Sequence, residues 1–219
     1  MAAPEAGPLR MLVTLGLAGL CSGIALVGIF LLTLPMIERN RAEALEAAIF
    51  EVLQGATERV TFVLRGGVLA RFESPGGTLP KEEAVYAGYD QAGELVGFAI
   101  PAAGAGFQDT IRLIYGYDPA RQRVVGMQVL ESRETPGLGD KIMKDDAFLN
   151  CFRDLAISPE VVAVKKGRTR DHEIDAISGA TISSVAVVRI INEANARWLE
   201  RLPESEGAPG AAGAGGSGE

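Results

Sequence analysis

Asp175-Ala176-Ile177-Ser178-Gly179-Ala180-Thr181-Ile182-Ser183-Ser184 is where an extended segment gives way to a helix, and the fold turns on how that junction is read. From residue 185 to 201 the apolar residues Val187, Ile190, Ile191, Ala194 and Trp198 recur at helical spacing, while Arg189, Asn192, Glu193, Arg197 and Glu200 fall off that stripe. One helix face therefore packs and the other is wet. The small, hydroxyl-rich residues 178–184 stand at the helix entrance, whose unpaired backbone N–H groups and positive dipole end favour an anion. Gly179 and Ala180 keep side-chain bulk away from the backbone, so a ligand can approach closely. Two readings stay open from these residues alone: an N-cap with small packing residues, or a phosphate site. A Walker-type phosphate loop is disfavoured, because its spacing and its Lys before the hydroxyl residue are both missing.

Toward the N-terminus the texture becomes one of short β-type runs separated by Gly, Pro and Asp, over residues 60–64, 68–72, 84–89, 95–101, 110–117 and 124–132. Asp90-Gln91-Ala92-Gly93 and Asp118-Pro119-Ala120-Arg121 join the third run to the fourth and the fifth to the sixth as hairpins, since their residues cap locally or preset φ. That is antiparallel sheet, not the strand–helix alternation of a doubly wound fold. The soluble part is accordingly expected to be α+β, an antiparallel sheet with packed helices. A short helix over 144–155, with Ala147, Phe148, Cys151, Phe152 and Leu155 on one face, and a strand over 161–164 complete it. Cys151 is expected as a core thiol, and His172, within Arg170-Asp171-His172-Glu173, as a solvated surface residue.

Residues 11–34 form a run of 24 positions without a charge. As a helix this run measures about 36 Å, enough to cross a hydrocarbon core of roughly 30 Å, so it is expected to be a transmembrane anchor after a polar lead-in, 1–10. A cleaved signal peptide would have an apolar core of only about 7–15 residues, and Leu20 ahead of Cys21 is too bulky for a lipoprotein cleavage site. A linking helix over 35–56 carries Ala42, Leu45, Ala48, Ile49 and Val52 on one stripe. The soluble domain is expected over 57–203, and the Gly-, Ala- and Ser-rich stretch 204–219 as a disordered tail. With Arg10 on one side of the apolar run and Arg39 and Arg41 on the other, the positive-inside rule does not decide sidedness.

A net charge of -7 argues against a nucleic-acid partner, which would need a clustered basic surface matched to phosphates. Two cysteines, Cys21 inside the apolar run and Cys151 in the soluble part, argue against a disulfide framework and a Cys-based metal site; no metal site is expected. The single histidine, His172, rules out a mechanism needing several imidazoles. A serine hydrolase using Ser178 with His172 is disfavoured because no GxSxG elbow surrounds the serine.

Two loops stand out in the β-rich region. Ala103-Gly104-Ala105-Gly106-Phe107 reads as a flexible loop carrying one aromatic. In Glu134-Thr135-Pro136-Gly137-Leu138-Gly139-Asp140, Pro and two glycines around an exposed Leu build a rigid loop that offers backbone and an apolar tip together, which suits a planar ring system. A plain strand-to-helix connection is the alternative.

Taken in order, the apolar anchor, Glu134-Thr135-Pro136-Gly137-Leu138-Gly139 and Asp175-Ala176-Ile177-Ser178-Gly179-Ala180-Thr181 resemble the G subunit of the Rnf electron-transport complex (RnfG, also called RsxG). They are also similar to NqrC, the C subunit of the sodium-pumping NADH:quinone oxidoreductase. The resemblance covers the chain from the anchor through the last helix, and residues 104–111 look like the family's glycine–aromatic stretch, with Asp109 standing where a glycine is expected. It implies an FMN-binding domain in which Thr181 carries FMN through a phosphoester bond, made from FAD after export by a flavin transferase of the ApbE type. Gly179 and Ala180 would leave room for that transferase, Asp175 and Ser178 would fix the loop, and Glu134, Thr135, Gly137 and Leu138 would wall the isoalloxazine ring. No catalytic acid or base is implied, since the cofactor carries the electrons. The resemblance further implies a single-pass protein of the inner (plasma) membrane with its domain on the extracytoplasmic side. Its partners would be the A, B, C, D and E subunits of the Rnf complex, which couples ferredoxin or NADH oxidation to Na+ or H+ movement. An NqrC-like subunit and a membrane-tethered flavin sensor are the alternative readings.

Overall fold

The computed structural model describes residues 7–72, 80 and 82–202; positions 1–6 and the expected tail 204–219 lie outside the described residues. Two units divide at Glu43. The first is the greater part of helix α1 (Pro8–Val52), which is long and apolar enough to cross a membrane and has none of its apolar window buried in protein. Within it Thr33 Oγ1 donates to Ile29 O at 3.0 Å, and Thr14 bonds back to Arg10 O in the same way. Each hydroxyl is thereby satisfied inside the helix, as crossing a membrane would require.

The second unit holds a seven-stranded sheet: β1 (Glu58–Arg65), β2 (Val68–Phe72), β3 (Ala84–Tyr89), β4 (Leu95–Ala105), β5 (Thr110–Asp118), β6 (Arg123–Glu131) and β7 (Leu155–Ala156). The order is β2-β1-β3-β4-β5-β6-β7, and every pairing is antiparallel. The two aspartate turns close as expected. Asp90 Oδ1 accepts from the amides of Ala92 and Glu94, both at 2.9 Å, and Asp118 Oδ1 from those of Ala120 and Arg121 at 2.9 and 3.1 Å.

Alternate residues of a strand point to opposite faces, and here each face finds its own helix. Val85 and Ala87 of β3, Phe98 and Ile100 of β4, and Ile111, Leu113 and Tyr115 of β5 form one core with Val187, Ile190, Ile191 and Trp198 of α3 (Thr181–Trp198). Their neighbours Tyr86, Ala99 and Ile114 face the other way, onto Ala48, Ile49, Val52 and Leu53 at the end of α1. That second contact is close because Gly88 lies beneath it: a Cβ there would stand 2.7 Å from Leu53 Cδ1. Tyr115 Oη donates to Asn195 Oδ1 at 2.8 Å and ties α3 to the middle of the sheet.

Four expectations are corrected. β4 runs on through Ala105, with Ala103, Gly104 and Ala105 paired to Arg112, Ile111 and Thr110, so the flexible loop shrinks to 106–109. The helix expected over 144–155 is only α2 (Asp146–Asn150), preceded by a 3₁₀ turn, Gly139–Met143. Asp145 caps α2 by accepting from Phe148 N at 3.0 Å, and Asp154 at φ 62 turns Leu155 into strand β7. The strand near 161 is β8 (Val162–Val164), and it pairs in parallel with β9 (Glu173–Asp175), a local departure from the antiparallel pattern. His172 is 9% exposed, not solvated, because Val162 N donates to its carbonyl at 3.0 Å and draws it into that ladder. Cys151 is a core thiol as expected, with Sγ donating to Ala147 O at 3.3 Å.

Candidate functional site

The pairing of Arg112 with Glu131 brings the start of β5 and the end of β6 to the same end of the sheet. The 106–109 turn and the 132–139 loop therefore emerge side by side. The entrance of α3 meets them there, and Glu134 joins all three. This carboxylate is 5% exposed. One oxygen accepts from the amides of Phe107 (2.9 Å) and Gln108 (3.0 Å), and the other from the Ser183 hydroxyl at 2.7 Å. Burial alone would raise its pKa, but the hydrogen bonds from Ser183 and from the Gln108, Asp109 and Phe107 backbone outweigh it and hold the carboxyl below its ordinary range. Gly139 permits this approach: a Cβ there would lie 2.7 Å from Glu134 Oε2 and 2.9 Å from Ser183 Oγ. A second strut is Thr135 Oγ1 donating to Gln108 Oε1 at 2.9 Å.

The helix entrance differs from the expectation by one turn. α3 begins at Thr181, not at Val185, because Ser184 Oγ donates back to Ala180 O at 2.9 Å while accepting from Ile177 N at 3.1 Å. Thr181 thus sits in the first helical turn, exposed. Ala180 is the N-cap residue and offers no side-chain oxygen to the first-turn amides, so a hydroxyl N-cap is not what these residues form. The amides that such a cap would satisfy are left for water or an anion. Gly179 holds φ +84 with only Leu138 Cδ2 near a hypothetical Cβ, at 3.7 Å. The positive φ favours glycine, and the space above it is open.

Glu134, Leu138, Gly179 and Thr181 thus converge at one place. Ser178 is exposed beside them; Ala180 is buried and packs into the core. Gly137, at φ +77, faces open space. Asp175 stands farther back, where Oδ1 accepts from Arg168 N at 2.9 Å and fixes the loop between β8 and β9. Three participants escape sequence reasoning. Ser183 is the buried partner of Glu134, while Phe107, 63% exposed, and Ile182 join Leu138, 49% exposed, among the apolar side chains displayed around the entrance. The signal for Ser183 lies in the hydroxyl cluster 181–184, within which Thr181 alone draws a functional reading. Chemically the arrangement offers uncapped helix amides, an exposed hydroxyl and an apolar rim; its one buried carboxylate is fully engaged in hydrogen bonds.

Comparison with known proteins agrees with this geometry. Residues 106–196 match the FMN-binding domain family. The G subunit of the ion-translocating oxidoreductase complex of Methanosarcina acetivorans is 37% identical over 109 residues, 50% of this chain and 55% of that protein. The G subunit of the proton-translocating ferredoxin:NAD(+) oxidoreductase complex of Clostridium ljungdahlii is 31% identical over 99 residues, 45% of this chain and 51% of that one. The chain spans about half the length of the curated relatives it matches. In structure it resembles Shewanella oneidensis NqrC, with a TM-score of 0.55 at 19% identity, covering 70% of this chain and 91% of that one. It also resembles the C subunit of the Na(+)-translocating NADH-quinone reductase of Parabacteroides distasonis, again with a TM-score of 0.55 at 19% identity, covering 77% and 96%. The resemblance to RnfG and to NqrC, and the α+β fold with an apolar N-terminal helix, are borne out.

Proposed function

We propose that the chain is a membrane-anchored electron-transfer subunit of an Rnf-type ion-translocating oxidoreductase, with FMN joined covalently to Thr181. The observation that carries this reading is the Glu134 carboxylate, which gathers the 106–109 turn, the 134–139 loop and the entrance of α3 around an exposed threonine. The residues present fit a phosphorylated flavin. Thr181 offers an acceptor oxygen, Ala180 leaves the first-turn amides uncapped, and Gly179 adds no side chain above them. A phosphate bonded to Thr181 would be stabilised by those amides and by the dipole of α3, the latter worth about 0.3–1 kcal/mol at an exposed site.

Attachment from FAD by an ApbE-type transferase balances simply. The Thr181 hydroxyl loses its proton, an Oγ1–P bond forms to the FMN half, the pyrophosphate bond of FAD breaks, and AMP leaves. Once bound, FMN supplies the redox chemistry. The chain's own residues hold and shield it: Thr135, Gly137 and Leu138 present backbone and an apolar tip to a flat ring, Phe107 and Ile182 extend the apolar rim, and Glu134 and Ser183 keep the loops in register. Asp175 and Ser178 shape the approach to the attachment point. The lipid bilayer of the inner membrane holds α1, the domain stands on the extracytoplasmic side, and the A to E subunits of the Rnf complex are the partners.

The test is the intact mass and in-gel fluorescence of full-length protein coexpressed with the transferase. A gain equal to FMN less one water is expected, and Thr181→Ala should remove it. A fluorescent band surviving in that variant would refute the assignment. Protease accessibility in spheroplasts checks sidedness, and genes for the other Rnf components beside this one separate a pump component from a lone sensor.

A further inference from the structure

We propose that the exposed basic loop 165–170, between β8 and β9, is where an acidic face of a protein redox partner docks beside the flavin site. This rests on the flavin reading above. Lys165, Lys166, Arg168 and Arg170 put four of the chain's 21 Lys and Arg residues into six consecutive positions of a protein with net charge -7. All four are exposed. Among the described residues, Lys165 and Lys166 enter no ion pair. The nearby carboxylates are turned on the loop's backbone more than on its cations. Asp175 Oδ1 accepts from Arg168 N at 2.9 Å, and Glu173 Oε2 from the amides of Thr169 and Arg170 at 2.9 and 3.2 Å. Only a long contact of 3.9 Å links Glu173 Oε1 to Arg170, and Asp171 is engaged by Arg123 at 2.7 Å. Arg168 Nη1 bonds to Cys151 O at 3.3 Å. The acids therefore hold the loop's shape and leave its lysines uncompensated.

Its position gives the patch a use. Val164 O, just ahead of Lys165, accepts from Ala176 N at 2.8 Å. Ala176 precedes Thr181 by five residues, so even an extended chain keeps Ala176 within about 18 Å of Thr181, and the loop's base stands one ladder hydrogen bond farther off. That upper limit lies inside the roughly 30 Å Debye length at 0.01 M salt, and added salt shortens the reach of the loop's charge to roughly 10 Å at 0.1 M. An acidic surface drawn to the loop thus brings its redox centre toward the flavin in the weak, salt-sensitive type of encounter that electron carriers use. An anionic lipid surface would also attract a basic loop, and trypsin protection in nanodiscs separates that outcome from a protein partner.

The experiment uses full-length, flavin-loaded protein in neutral detergent, photoreduced and mixed in stopped flow with ferricyanide as the anionic probe and hexaammineruthenium(III) as the cationic one. A net charge of -7 acting alone requires ferricyanide to react faster as salt rises. Local attraction by the loop gives the opposite sign, a fall of about threefold or more between about 0.01 and 0.2 M salt. Lys165→Glu/Lys166→Glu, which breaks no ion pair, should reverse that slope and speed hexaammineruthenium, while Lys165→Arg/Lys166→Arg keeps the wild-type pattern. A ferricyanide rate that rises with salt in the wild type, or a slope unchanged in the Glu variant, overturns the proposal. So does protection of the 165–170 bonds from trypsin in phosphatidylglycerol nanodiscs but not in phosphatidylcholine ones, which would assign the loop to lipid headgroups. Protein lacking flavin absorbance sinks the flavin reading and this one together; loaded protein with the wrong salt slope sinks only the docking surface.

Discussion

Glu134→Ala is the substitution that most directly challenges the site. It removes a carboxylate that accepts at 2.9, 3.0 and 2.7 Å from Phe107 N, Gln108 N and Ser183 Oγ. Hydrogen bonds to a charged group contribute roughly 1.5–3 kcal/mol each, and they do not add when they share one acceptor group. Phe107 and Gln108 lie in an exposed turn, so their amides can rebind water; Ser183, 3% exposed, cannot without rearrangement. A loss of about 2–4 kcal/mol follows. For a domain of this size that lowers the melting temperature by about 4–16 °C, at some 2–4 °C per kcal/mol. Full-length protein in detergent, followed by circular dichroism, measures the drop, and in-gel flavin fluorescence should fall with it as the three loops lose register. Glu134→Gln keeps an acceptor for the two amides and a donor for Ser183, so it should cost less than about 1.5 kcal/mol. If Glu134→Ala melts within about 2 °C of wild type and loads flavin equally, the carboxylate does not organise the site.

The same carboxyl gives a pH prediction. Its folded pKa lies below its ordinary value of 4.5, so its contribution is complete above that value and is lost as pH falls through the lower folded pKa; acid melting curves of Glu134→Gln should lack that component. Thr181→Ala, at an exposed position, should fold within about 0.5 kcal/mol of wild type yet carry no covalent flavin by mass, and Thr181→Ser should restore it. Gly139→Ala sets a methyl 2.8 Å from Glu134 Cβ and 2.9 Å from Ser183 Oγ; a cost of about 1–3 kcal/mol and weaker loading are expected, and an unchanged melting temperature would count against the close approach. Tyr115→Phe leaves the buried Asn195 Oδ1 without its 2.8 Å donor and should cost about 1–2 kcal/mol in a thermal melt.

The sheet is legible in the sequence because its rules are local. Strands β2 and β3 begin and end where short apolar runs begin and end, and Asp90 and Asp118 announce their own turns through side chains that reach only a few residues ahead. Errors arise where a local pattern competes with a distant contact. Residues 147–155 carry a helical stripe, yet Leu155 is taken by the edge of β6, where it pairs with Val124. Residues 181–184 look like a cap and instead form the first turn, because Ser184 bonds backwards to Ala180. Within the site, the motifs themselves stand in the sequence, but they suggest Glu134 as ring wall and not as the tie between loops. Its bond to Ser183 joins residues 49 positions apart, and nothing in either neighbourhood declares it.

Ala48, Ile49, Val52 and Leu53 sit in a core of their own against Tyr86, Ala99 and Ile114. The last turns of α1 are therefore one of the domain's own building blocks, and the place to cut the chain ahead of the domain is not the short link after α1. A protease site introduced before Ala44 would release a domain whose rear face is still roofed. One introduced after Val52 would strip that roof from β3, β4 and β5, forfeiting about 1.5–3 kcal/mol for each large apolar side chain withdrawn.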